Sequence, residues 1–148
     1  MANRDRSYIA ASIFLIFIGC TMFIYRNYRL ELGARALSAE HGNDAIHYLK
    51  PLAELGDSKA QFIMGNIYAY GWGGVKKVDD EAVYWFRRAA VDLKDESDPA
   101  APAELAVAKS YAGGTGGVKA DKAASIKWLR LSAAGGNKEA AALLAKSD

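Results

Sequence analysis

The chain opens on an apolar run and then changes to helical stripes. From Ser7 to Tyr25, nineteen consecutive residues carry no charge, centred on Ile13-Phe14-Leu15-Ile16-Phe17-Ile18. Further on, small and apolar residues recur at i, i+3, i+4, i+7 and i+8. Ala60, Ile63, Met64, Ile67 and Tyr68 form one such stripe, and Ala82, Trp85, Phe86, Ala89 and Ala90 a second. That spacing gathers them on one face of an α-helix, a face that a neighbouring element must cover. Ala103, Ala106, Val107, Ser110 and Tyr111 repeat the first stripe; Ser125, Trp128, Leu129, Ser132 and Ala133 repeat the second. Asp57, Asp79, Asp121 and Asn137 stand where a side-chain oxygen can cap the free N–H groups of a first turn. Gly56, Gly71, Gly113 and Gly136 stand where helices end in left-handed geometry. The pattern predicts helices over 29–40, 44–55, 58–70, 80–92, 100–112, 122–134 and 138–146: three pairs and a terminal half.

The stripes belong to an internal repeat. At a shift of 43, Ala60 falls on Ala103, Tyr68 on Tyr111, and Gly71, Gly73, Gly74 and Val75 on Gly114, Gly116, Gly117 and Val118. In the same register Trp85 meets Trp128, Arg87 meets Arg130 and Ala90 meets Ala133. Ala53, Gly56 and Ala60 align with Ala133, Gly136 and Ala140 at a shift of 80, so the second interval is 37. The longer interval holds an insertion at 92–99, charged and ending in Pro99, which reads as a lengthened surface loop. Units that each bury one face only against their neighbours make a stack whose stability is a nearest-neighbour sum.

The apolar run nearly matches a hydrocarbon core of roughly 30 Å at about 1.5 Å per residue. Tyr8 stands at one end and Tyr25 and Tyr28 at the other, where amphipathic rings favour the interface. An uncleaved single-pass anchor accounts for the whole stretch, with the membrane met by residues 8–25. This divides the chain into an anchor with basic flanks at 1–28 and a helical repeat domain at 29–148. Two rivals stay open. Phe17-Ile18-Gly19-Cys20 resembles a lipobox with Cys20 acylated, although Thr21 to Tyr25 stays apolar where a lipoprotein turns polar. A cleaved signal peptide needs a shorter apolar core. Lys and Arg are balanced around the run, so the positive-inside rule leaves orientation open.

Gly117-Val118-Lys119-Ala120-Asp121 through Ser125 and Trp128, followed by Ala133 and Gly136, resembles the Sel1-like repeat, a relative of the tetratricopeptide repeat with a longer loop between its helices. Gly74-Val75 through Ala82, Trp85 and Ala89 is similar, except that Val78 occupies the family's Asp position and Asp79 comes one residue late. The resemblance covers about residues 43–148. It implies an all-α fold, a short right-handed α-solenoid of antiparallel helix pairs, which the apolar run precedes as one transmembrane helix. It also implies that Gly65 and Ala89 allow close helix approach, and that Trp85 and Trp128 fill the space within a pair. Such proteins bind other proteins, with the first helices of successive pairs lining a concave face; those with such a leader are commonly exported, which favours the periplasmic or other extracytoplasmic side for the repeat domain.

Composition narrows the functions. Net charge is +2 with acidic and basic residues interleaved, unlike the basic footprint of a nucleic-acid binder. Cys20 is the only cysteine, so no disulfide can form within the chain. Neither glycine loop matches the phosphate-binding spacing or follows a strand. His41 and His47 are six apart, without the i, i+4 spacing or cysteine partner that a metal site favours. No nucleophile with a neighbouring base can be named, so neither enzyme activity, a cofactor nor a metal is expected. Gln61, Asn66, Tyr70, Trp72, Glu104 and Lys109 are the candidate contacts for a protein partner, the aromatic pair foremost because Tyr and Trp dominate hot spots. The expected function is that of a membrane-anchored adaptor. The alternatives are an envelope immunity protein neutralising a secreted toxin, such as a type VI phospholipase effector, as the family resemblance suggests, and a lipoprotein scaffold.

Overall fold

The computed structural model describes residues 2–91 and 100–147, with side chains from residue 11 onward. Among them run seven helices: α1 (Ala2–Ser38), α2 (Gly42–Glu54), α3 (Ser58–Tyr70), α4 (Asp79–Val91), α5 (Ala100–Gly113), α6 (Lys122–Ala134) and α7 (Lys138–Leu144). A single 3-10 turn, Trp72–Gly74, interrupts the α3–α4 loop. Each helix packs on its neighbours in the chain, α1 on α2, α2 on α3 and so on to α6 on α7, which is the contact pattern of a solenoid. The 92–99 insertion lies outside the described residues.

The largest departure from expectation is α1. The element expected to begin at 29 is the C-terminal part of one helix of 37 residues that includes the whole apolar run. Neither Gly nor Pro stands between Cys20 and Leu32, so nothing in the backbone stops the helix where the apolar run ends. Side chains 11–25 are exposed, Phe14 and Phe17 among them, whereas Gly33 and Ala36 are buried against the solenoid. By length and composition this helix can cross a membrane, and it lies near the N-terminus, as a signal sequence does.

Caps follow the sequence with two corrections. Asp57 Oδ1 accepts from Ala60 N (2.8 Å), Asp121 Oδ1 from Ala124 N (2.9 Å), and Asn137 Oδ1 from Glu139 N and Ala140 N (3.0 and 3.1 Å). Asp79, expected as a cap, is instead the first residue of α4. The Val78 carbonyl accepts the first helical bond, from Ala82 N, and Val78 has no side-chain oxygen to offer. Asp79, Asp80 and Glu81 then stabilise that end through the helix dipole. Gly113 remains helical, and Gly114, at φ 65°, makes the left-handed exit.

Repeat geometry is kept closely. Val78 N donates to the Tyr68 carbonyl (3.0 Å), and 43 residues later Asp121 N donates to the Tyr111 carbonyl (2.9 Å). Each glycine loop presses on the start of the preceding unit's second helix. A Cβ on Gly73 would come within 2.4 Å of Gly42 N, and one on Gly116 within 2.7 Å of the Asp79 carbonyl. Gly65 lets α4 approach α3, since its Cβ would lie 2.6 Å from the Phe86 ring. Ala60, Met64, Ile67, Leu49, Leu52 and Trp85 form the principal core; Ala82, Phe86 and Val107 and then Leu105, Leu129 and Ala140 continue it along the stack. Trp85 is buried as expected. Trp128 touches three of the clusters but stays half-buried.

Candidate partner-binding surface

The six candidate contacts separate by burial. Gln61 is fully buried, and its Nε2 donates to the Ala53 carbonyl (3.0 Å), joining α3 to α2. Glu104, its equivalent 43 residues on, is only 6% exposed, and burial raises its carboxyl above the ordinary range. Neither side chain is presented to a partner. The reason is architectural: α3 and α5 are each flanked by two other helices, so the buried arc extends one residue beyond the stripe set by Ala60 and Ala103.

Asn66 is half-buried, with its Nδ2 donating to the Phe62 carbonyl of its own helix (3.1 Å). Lys109, its equivalent, is exposed and pairs with Glu139 of α7 at 2.7 Å. Tyr70 and Trp72 are the pair that the fold brings together. Tyr70 ends α3 and is 69% exposed; Trp72 begins the 3-10 turn and is 43% exposed. Their rings stack at 5.7 Å with 23° between planes. Gly71, at φ 69°, reverses the chain between them, and its N–H donates to the Ile67 carbonyl (2.9 Å). Two rigid aromatic bodies are therefore held open to solvent at small conformational cost.

Of the residues assigned to the repeat framework, Ala60, Ala82, Ala89 and Trp85 are buried. Gly65, Gly74, Gly117 and Gly136 occupy close-approach or left-handed sites. Tyr68, Val75, Tyr111 and Ala133 are half-buried around the core, Val118 lies in the second loop, and Asp121 caps α6. Burial, with the nearby Glu81 carboxylate, raises the Tyr68 phenol.

A second surface was not fully legible in the sequence. Tyr84, 50% exposed, receives a hydrogen bond from Arg88 Nη1 (3.2 Å), and with Asp80, Val91 and the Gly116–Val118 loop it lines a groove of about 460 Å³. The i, i+4 spacing of Tyr84 and Arg88 was the available signal. The contribution of the loop, 32 residues away, was not visible. Among the described residues no group of three or more His, Cys, Asp or Glu side chains is placed to hold a metal ion.

The sequence profile of the Sel1 repeat matches residues 39–57, 58–90 and 101–137, which correspond to α2, to the α3–α4 pair and to the α5–α6 pair. A crystal structure of a Sel1 repeat protein from Oxalobacter formigenes is similar at 30% identity and TM-score 0.67, over 80% of this chain and 86% of that one. A protective antigen of uropathogenic Escherichia coli strains displaying an SLR fold is similar at 31% identity and TM-score 0.64. That likeness spans 76% of this chain but only 23% of the antigen. No curated protein matches the chain.

Proposed function

Since the chain belongs to the Sel1 repeat family, whose solenoids typically serve as protein–protein interaction modules, we propose that it is a non-catalytic adaptor holding one protein partner at a membrane. The stacked Tyr70–Trp72 pair carries this reading. Monomeric surfaces seldom fix two large aromatic rings together in water, and such rings dominate binding energy when a partner covers them. Membrane attachment through residues 8–25 is supported by the length of α1 and by its apolar side chains from residue 11 to 25, which are exposed. The repeat domain then follows the anchor without an intervening linker, because α1 is common to both.

The orientation of the helices supports a division of labour. The α1–α2 turn and both glycine loops lie at the end of the solenoid opposite the apolar run, so Tyr70 and Trp72 face away from the proposed bilayer. The test is affinity purification of the full chain in detergent, comparing wild type with the Tyr70→Ala/Trp72→Ala double variant. A partner held by this pair should be lost by roughly 30-fold or more, the equivalent of a hot spot of about 2 kcal/mol. Equal recovery of the same partner by both proteins would remove the pair from the interface.

A further inference from the structure

Among the described residues outside α1, three large aliphatic side chains are exposed: Leu55 at 72%, Val91 at 70% and Leu131 at 45%. Each lies at the C-terminal end of a returning helix, Leu55 at the cap of α2, Val91 at the end of α4 and Leu131 in the last turn of α6. The fold sets these ends along one edge. Arg88 Nη2 of α4 donates to the Glu54 carbonyl of α2 (3.3 Å), and Ser132 Oγ of α6 donates to the Ala101 carbonyl at the start of α5 (2.5 Å). The apolar part of α1 leaves the solenoid at this same edge. Met22, Phe23, Tyr25 and Arg26 line a notch of about 350 Å³ whose other wall holds Leu52 and Leu55.

We infer that this edge rests in the bilayer interface, with Leu55, Val91 and Leu131 inserted beside the spanning helix and the repeat stack lying flat along the membrane. The inference builds on the reading that residues 8–25 span the bilayer. Leu55 shares its notch with Met22 and Phe23, so a spanning helix carries Leu55 to the depth of its own last apolar turn. Arg26 pairs with Asp57, and Arg29 donates to the Tyr48 and His47 carbonyls (2.8 and 2.7 Å), which prevents the domain from swinging away. Charge does not carry the contact. Lys59, Arg88 and Lys138 stand near the edge, but so do Glu54, Asp57 and Glu139. The apolar side chains should therefore suffice on phosphatidylcholine alone.

Spin labels test this in the full chain in phosphatidylcholine nanodiscs, each on a single cysteine in a Cys20→Ala background: Phe17→Cys, Leu55→Cys, Leu131→Cys and Tyr70→Cys. Helical circular dichroism verifies that each variant folds. The expected result is several-fold higher accessibility to oxygen than to a water-soluble nickel complex at 17, 55 and 131, with the reverse at 70. Nickel access at 55 or 131 equal to that at 70, with 17 protected, overturns the edge contact and leaves the spanning helix standing. Nickel access at 17 overturns both. Line broadening at 131 that vanishes on spin dilution would give the edge to a second copy of the chain and would also overturn the inference.

Discussion

Arg26 and Asp57 meet where the apolar helix enters the solenoid. One carboxylate oxygen of Asp57 caps α3 through the Ala60 N–H, while the other accepts from Arg26 Nε on α1. The Asp57 side chain is 9% exposed and that of Arg26 42%. A single carboxylate therefore starts one helix and fixes the angle at which another leaves. Arg29, one turn further along α1, reinforces the joint through the carbonyls of His47 and Tyr48.

The two roles of Asp57 can be separated. Asp57→Asn keeps an oxygen for the cap and loses the ion pair, so it should cost about as much as Arg26→Gln, roughly 0.5–1 kcal/mol for a half-exposed pair. Asp57→Ala removes both and should cost about 1–2 kcal/mol more, the worth of an N-cap. Urea unfolding of the three variants checks the order. Equal costs for Asn and Ala would show that the cap contributes nothing.

The two tryptophans of the repeat should not be equivalent. Trp85 is 4% exposed among Leu49, Leu52, Met64 and Ile67, and its truncation to Ala should cost about 3–5 kcal/mol. Trp128 is half-buried, and Trp128→Ala should cost distinctly less. Trp85 Nε1 is buried without a hydrogen-bond partner among the described residues, so Trp85→Phe forfeits no hydrogen bond and should be far milder than Trp85→Ala. Thermal unfolding of these variants decides the ranking.

Glu40 offers a stabilising change. The α1–α2 turn ends as α2 and α6 do, with a 6→1 bond from His41 N to the Ala36 carbonyl (2.8 Å), and Glu40 occupies the left-handed site at φ 59°. Gly56 and Gly136 fill the matching sites at φ 93° and 87°. Glu40→Gly relieves the Cβ strain and should raise stability by about 1 kcal/mol. A lower melting temperature would mean that the Glu40 side chain contributes more than its backbone costs.

Glu104 supplies a pH dependence. Its carboxyl is raised above 4.5 by burial, so the folded chain holds the proton more tightly than the unfolded one. Its contribution is complete below the unfolded value and declines as pH rises through the folded one. Glu104→Gln, which stays neutral, should therefore raise the melting temperature at pH 7 and lose that advantage below about pH 4.5, near the ordinary value of the carboxyl. An advantage of the same size at both pH values would assign the effect to packing.

The sequence by itself determined the six helices after α1, the register of 43 and the caps at Asp57, Asp121 and Asn137. These follow from local rules: a periodicity that needs one covered face, an oxygen one residue before a first turn, and glycine where φ is positive. It did not reveal that Asp79 begins α4 or that Gly114 makes the left-handed exit, because helix ends shift by a residue at small energetic cost. Only the tertiary structure decided that Gln61 and Glu104 are buried, since a stripe describes one neighbour and a solenoid gives its inner helices two. Tertiary structure also decided that Arg26 meets Asp57 across 31 residues, and that α1 carries the apolar run into the solenoid unbroken. A change of hydropathy at Arg26 is visible in the sequence, but helical hydrogen bonds cross it unchanged, so an end of the apolar run is not an end of the helix.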